Sequence, residues 1–465
     1  MADMMNRIKA LFAPKKGNEQ EYEPLTDESG ALDESGYLPG REEVPFSWLE
    51  YSIFALIGVA MLWAWNMFIA AAPYFQKRFS SHEWILENSQ SAILSVSTVT
   101  NLTAMLILTN MQSSASYPFR IKAGLLINIG VFTLLTATTK TFLDVSAPAY
   151  LGFLLLLVGC SAWGTGLMQN GAFAFAASFG RPEYMQAIMA GQGVAGVLPP
   201  IAQMASVLIA PPPPPAGGSD PTDAGPPPLR EVGTAAFIYF LTAVAVSLAA
   251  LAAFVPLVRR QRRRELGNLA AAAGLAGAEE TAEPPARHFV SIPTLLRKLH
   301  WPAAAVFMCF AVAMFFPVFT SKIVSVRDDG SGGRLFSPDV FIPLGFFVWN
   351  LGDLAGRVST MLPFSLRHRP AALFAIAVAR LLFLPLYALC NVRGRGAAVP
   401  SDAFYLLAVQ FPFGLTNGWL GSSSMMAAGE WVDEGEREAA GGFMGLCLVA
   451  GLTVGSLLSF SAAGI

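Results

Sequence analysis

Apolar runs of membrane-spanning length recur along the chain, near residues 49–75, 89–111, 119–139, 147–178, 183–210, 232–258, 301–323, 338–362, 369–392, 402–428 and 439–462. A helix needs about 20 such residues to cross bilayer hydrocarbon, so the pattern predicts eleven transmembrane helices. Residues 147–178 and 183–210 count as two, because Gly180 and Pro182 break the helix between them. The fold class is therefore an all-α polytopic membrane protein. Its connections divide it into a disordered tail (1–46), a six-helix bundle (47–258), a linker (259–300) and a five-helix bundle (301–465).

Polar residues inside the runs are few. Asn350, Asp353 and Arg357 interrupt the eighth run, and at about 100° per residue their side chains fall within roughly 60° of one another. Insertion scales charge about 2.5–3.5 kcal/mol for an Asp or Arg at mid-helix, so this face is expected to meet protein or a watery cavity and is the first candidate for a substrate site. The same two residues can also neutralise each other, since an acid four positions before a base is the favourable order on a helix. Trp63, Trp65 and Asn66 lie deep in the first run, where Trp65 offers a stacking surface and Asn66 both hydrogen-bonding roles. Gln169 and Asn170 stand among glycines in the fourth run, and Gly191-Gln192-Gly193 in the fifth. Small residues let helices approach and amides bond across them, a structural role that suits Asn170 and Gln192 and leaves Gln169 open. Arg380 is expected to satisfy a helix-end carbonyl or the Asp353 network. Asn417, with Gln410, Pro412, Gly414 and Gly418, suggests a locally bent helix.

Composition agrees with this pattern. Of 465 residues, 54% are hydrophobic and 13% charged, where soluble domains carry about 25% charged. A net charge of −2 gives no reason to expect a nucleic-acid partner. Lys and Arg favour the cytosolic side of a membrane. Their distribution, led by Arg259, Arg260, Arg262, Arg263 and Arg264, puts the N-terminus in the cytosol and, with eleven spans, the C-terminus in a lumen or outside the cell. The Arg cluster fixes topology, with contact to anionic lipid as an alternative. Residues 211–228 form a Pro-rich surface loop, and Tyr22-Glu23-Pro24-Leu25 fits an endosomal sorting pattern. Cys160, Cys309, Cys390 and Cys447 are expected to be buried hydrophobes rather than disulfides or metal ligands. Neither a metal nor a cofactor is expected. A phosphate-binding loop, a His-Glu-x-x-His helix and a Gly-x-Ser-x-Gly elbow are all missing, so the readable ATPase and hydrolase classes have no motif in support.

In sequence order, Trp65-Asn66-Met67-Phe68 with Tyr74-Phe75, Gln169 with Gly171 and Phe173, Pro182 with Tyr184, Gly191 to Gly196, Phe316-Pro317, Asn350-x-x-Asp353-x-x-Gly356-Arg357, Arg380 with Phe383 and Pro385, and Asn417-Gly418 resemble the equilibrative nucleoside transporters. The first-run wording looks most like fungal members, some of which serve the vacuole; Ala64 departs from the Pro that many members carry there. The resemblance implies a major-facilitator-like arrangement of six helices against five, and monomeric transporters of purine and pyrimidine nucleosides in a vacuolar, lysosome-like or plasma membrane. It also implies that Trp65 and Gln169 meet the nucleobase while Asp353 and Arg357 engage the nucleoside, with Asn66 and Asn350 beside them. Gly191, Gln192, Gly193, Arg380 and Asn417 are then structural or gating residues. A proton-coupled nucleoside or nucleobase carrier, and a nucleoside-binding receptor that moves nothing, are the alternatives.

Overall fold

The computed structural model of the protein describes residues 45–112, 116–141, 144–209, 229–275, 290–327 and 333–459. The tail with its sorting pattern, the 211–228 loop and the middle of the linker lie outside them. The helices are α1 (Trp48–Ala70), α2 (Ala72–Arg78), α3 (Glu83–Asn110), α4 (Tyr117–Thr138), α5 (Ala147–Ser178), α6 (Pro182–Ile209), α7 (Leu229–Leu275), α8 (Ile292–Ala313), α9 (Phe315–Thr320), α10 (Pro338–Ser359), α11 (Pro370–Ala379), α12 (Phe383–Ala388), α13 (Phe411–Ala427) and α14 (Arg437–Ser459).

Proline accounts for most of the interruptions. A proline ring clashes with the carbonyl four residues earlier, and Pro73 and Pro317 sit just past the ends of α1 and α8. Pro385 follows the 3-10 turn Arg380–Leu382, and Pro412 follows a π-helical stretch, Phe404–Gln410, that leads into α13. Between α5 and α6 the chain turns through Gly180 at φ +66°, a left-handed conformation that glycine adopts without strain. Joined across these kinks, the described helices fall into eleven segments in the order of the hydrophobic runs.

Eight of the segments are long and apolar enough to cross a membrane. Those built on α6, α10 and α13 are not among them: α13 has 17 residues, α6 carries Pro199 and Pro200, and α10 carries Asn350, Asp353 and Arg357; the three pack against one another. The sequence-based expectations need correction in three places. Helix α3 begins at Glu83, earlier than the apolar run. Helix α7 does not stop at residue 258 but carries the Arg cluster on to Leu275, as its Arg-, Leu- and Ala-rich composition favours. There Arg264 Nη1 lies 2.9 Å from the buried Glu50 carboxylate of α1, which also accepts from the Tyr184 hydroxyl at 2.7 Å. Finally, Cys160 is exposed on the bundle surface rather than buried, whereas Cys309 and Cys390 are buried.

Among the described residues, most buried apolar side chains fall into three clusters. At the end holding the start of α1 and the α5–α6 turn, one core spans both halves, from Phe54, Phe173 and Ile188 across to Val306, Met425 and Met444. At the opposite end the halves have separate cores. One is built around Phe68, Phe132, Tyr150 and Phe240, the other around Phe316, Phe341, Tyr387 and Phe413. The molecule is thus joined at the end holding the start of α1 and the α5–α6 turn and divided at the other.

Candidate functional site

Between the halves, on the divided side, lies a cavity of about 270 Å³. The first half supplies Met61, Leu62, Trp65 and Phe68 from α1, Leu94, Ser97, Thr98 and Asn101 from α3, and Val158, Ser161, Ala162, Thr165 and Gln169 from α5. The second half supplies Met314, Val449, Leu452, Thr453 and Ser456. Its wall is largely apolar with a few amides and hydroxyls, the composition of a small-molecule site, and its volume lies just below the roughly 300–1,000 Å³ of drug-sized pockets. Trp65 is half-buried with its ring on the wall. Gln169 Oε1 accepts from Asn101 Nδ2 at 3.3 Å.

The other sequence candidates sit elsewhere. Asn66 Nδ2 donates 2.8 Å to the Ala195 carbonyl and so pins α1 to α6. Asn350 Nδ2 donates within its own helix to the Phe346 carbonyl at 2.8 Å, and its Oδ1 rests against Gly196. Asp353 and Arg357 are buried side by side in the seam between the halves, outside the cavity wall. Arg357 Nε donates 2.7 Å to Asp353 Oδ2, and Asn417 Nδ2 donates 2.7 Å to Asp353 Oδ1. Arg357 Nη1 reaches the Met189 carbonyl of α6 at 2.8 Å and Gln192 Oε1 at 3.3 Å, while Gln186 Nε2 donates 3.0 Å to the Arg357 carbonyl. Gln192 in turn contacts Met61 Sδ at 3.5 Å, and Met61 is a wall residue. The ion pair therefore stands one side chain behind the wall, tied across the seam.

Glycines make this geometry. A Cβ on Gly352 or Gly356 would strike the α13 backbone, and one on Gly414 or Gly418 would strike the α10 backbone at Trp349 and Asp353. With hydrogen in those places the two helices touch along their length, and Asn417 is carried up to Asp353. Gly191 faces Ala55 of α1 in the same way, while Gly193 faces Leu354 and Arg357. Arg380 reaches the same network through Cys309, whose thiol contacts Arg380 Nη1 at 3.2 Å and Asn417 Oδ1 at 3.3 Å. Its Nη1 donates 2.6 Å to the Cys309 carbonyl, its Nη2 donates 3.4 Å to the Phe413 carbonyl, and its guanidinium stands 4.8 Å from the Phe413 ring centroid. Asn101 is a wall residue that the sequence pattern did not single out. It is a polar side chain inside an apolar run, the same signal that draws attention to Asn350.

A family model described as nucleoside transporter matches residues 155–463, more than half of the chain. The chain belongs to the nucleoside transporter family. Members similar to it include nucleoside transporter FUN26 of Saccharomyces cerevisiae, 29% identical over 451 residues that cover 89% of this chain and 83% of the relative. Equilibrative nucleoside transporter 1 of Homo sapiens is 25% identical over 460 residues, covering 88% of this chain and 95% of the relative. Among solved structures, the major facilitator transporter FucP in its outward conformation superposes with a TM-score of 0.54 at 15% identity, over 90% of this chain and 92% of the other. That likeness shows the major-facilitator-type fold. This nucleoside transporter family member is an integral membrane protein with its cavity at the junction of two helical halves.

Proposed function

We propose that the protein moves purine and pyrimidine nucleosides across its membrane by facilitated, alternating access. The carrying observation is the cavity at the junction of the halves, with an aromatic face and an amide on its wall and a closed seam beneath it. Trp65 stacks the base and Gln169 bonds its edge. When the halves rock, the seam at α6, α10 and α13 opens, and Asp353 with Arg357 becomes available to the sugar diol, the carboxylate accepting and the guanidinium donating. In the closed form described here the same two groups hold the seam together through Met189, Gln192 and Asn417. All eleven helical segments cross the bilayer in this reading, the three less apolar ones shielded by their neighbours. The N-terminus and the Arg-bearing end of α7 face the cytosol. Family membership supports the nucleoside, and the cavity between two halves supports a pathway over a receptor site.

The test is time-dependent uptake of labelled adenosine and uridine into proteoliposomes holding the purified protein. Saturable uptake that unlabelled nucleoside suppresses, and that an inward proton gradient leaves unchanged, is expected. Accumulation driven by the gradient would replace this reading with symport, and binding without uptake would replace it with a receptor.

A further inference from the structure

We infer that Asn101 is a positioning residue that fixes which face of the Gln169 amide meets the substrate, and so makes the site demand a hydrogen-bond acceptor on the base. The inference rests on the nucleoside reading above and adds a specificity rule to it. Asn101 on α3 and Gln169 on α5 both line the cavity. Asn101 Nδ2 donates to Gln169 Oε1 at 3.3 Å. Among the described residues its own Oδ1 has no hydrogen-bond partner, and it lies against Gly166, 3.2 Å from where a Cβ would be. Gly166 and Gln169 are three residues apart on α5 and share a face, so one stretch of that helix both seats Asn101 and receives its bond.

The bond to Gln169 sets the polarity. Gly166 leaves room beside Asn101 Oδ1, and a side chain at position 166 would collide with Ala104 of α3. With Oδ1 turned to Gly166, the Asn101 NH₂ is turned to Gln169 and occupies its oxygen. Among the described residues, none accepts from Gln169 Nε2, which remains the donor available to the cavity. A buried donor left without an acceptor is costly, so a base that places a ring nitrogen or carbonyl oxygen there is favoured over one with a C–H in the same place. Every common nucleobase has such an acceptor, which is compatible with both purines and pyrimidines as substrates.

The experiment measures labelled adenosine uptake into proteoliposomes in competition with unlabelled adenosine and its 1-deaza, 3-deaza and 7-deaza analogues, each lacking one ring acceptor. For the unaltered protein, one analogue is expected to compete about five-fold or more weakly than adenosine, the loss of one hydrogen bond to a buried donor. In Asn101→Asp the carboxylate accepts from Gln169 Nε2 and turns the oxygen to the cavity. In Asn101→Leu the amide is unrestrained. Both variants should bring that analogue level with adenosine, to a ratio near one. A merely structural role for Asn101 would weaken all four competitors in parallel and keep the ratio, and that result overturns the inference. So does equal competition by every analogue on the unaltered protein that transports adenosine. Failure of the unaltered protein to take up adenosine at all would overturn the nucleoside reading, and this inference with it.

Discussion

Consider removal of the Asp353 charge. Both carboxylate oxygens are engaged at 2.7 Å, one by Arg357 Nε and the other by Asn417 Nδ2, and both charged side chains are only 5% exposed. Breaking a buried pair by deleting one partner costs about 3–5 kcal/mol, because the other charge is left uncompensated. At 1.4 kcal/mol per factor of ten, this is about two to three and a half orders of magnitude in an equilibrium. Asp353→Leu should accordingly lower the thermal midpoint of the detergent-purified protein sharply, and Arg357→Met should do the same. The double variant Asp353→Leu with Arg357→Met removes both charges, so the uncompensated-charge penalty vanishes. What remains is the cost of Asn417, the Met189 carbonyl and Gln192 Oε1 losing partners, about 1–3 kcal/mol for each group left unsatisfied, and the single variants carry shares of this cost as well. The double variant should be markedly more stable than the two single losses added together, a positive coupling of the kind a double-mutant cycle measures. Its uptake should remain lost, because the groups proposed to meet the sugar are gone. Midpoints that add without coupling would refute the energetic reasoning. Recovery of uptake together with stability would refute the sugar-binding role and leave the pair as a strut.

Two further perturbations probe the wall and the helix seam. Trp65→Ala removes the stacking face, worth about 1–3 kcal/mol per base, so half-saturation for purine nucleosides should rise about 5- to 150-fold and for pyrimidines less; unchanged values for both classes in uptake assays would remove Trp65 from the site. Gly418→Val places side-chain atoms where the Asp353 carbonyl of α10 already sits, an overpacking cost of about 1–3 kcal/mol. Its thermal midpoint should fall, whereas a midpoint equal to that of the unaltered protein would mean the two backbones are not in the contact described.

Much of the architecture is legible in the sequence because the bilayer imposes it. Repeated runs of about 20 apolar residues are what helices crossing hydrocarbon require, and Pro73, Pro317, Pro385 and Pro412 mark where the helices bend. Trp65 and Gln169 stand out as polar or aromatic groups in apolar surroundings, and the structure puts both on one cavity wall. The same rule does not distinguish a side chain facing the cavity from one facing a neighbouring helix. Asn66 and Asn350 obey it equally and bond to backbone carbonyls instead. Periodicity places Asp353 and Arg357 on one face but is silent on what that face meets, which depends on glycines of two other helices, Gly193 of α6 and Gly414 and Gly418 of α13. The helical start of the linker is hidden because hydropathy stops at the Arg cluster while helix propensity does not. Glu50, buried and paired with Arg264, supplies the long-range partner that no local pattern announces.

The most direct test of alternating access is counterflow. Proteoliposomes are loaded with millimolar unlabelled uridine and diluted into trace labelled adenosine at equal pH on both sides. A carrier whose single cavity faces one side at a time predicts a transient overshoot, with labelled adenosine inside exceeding its equilibrium level and then decaying to it. Monotonic entry that never exceeds equilibrium, at a rate indifferent to the internal uridine, would contradict a shared alternating site between the two halves.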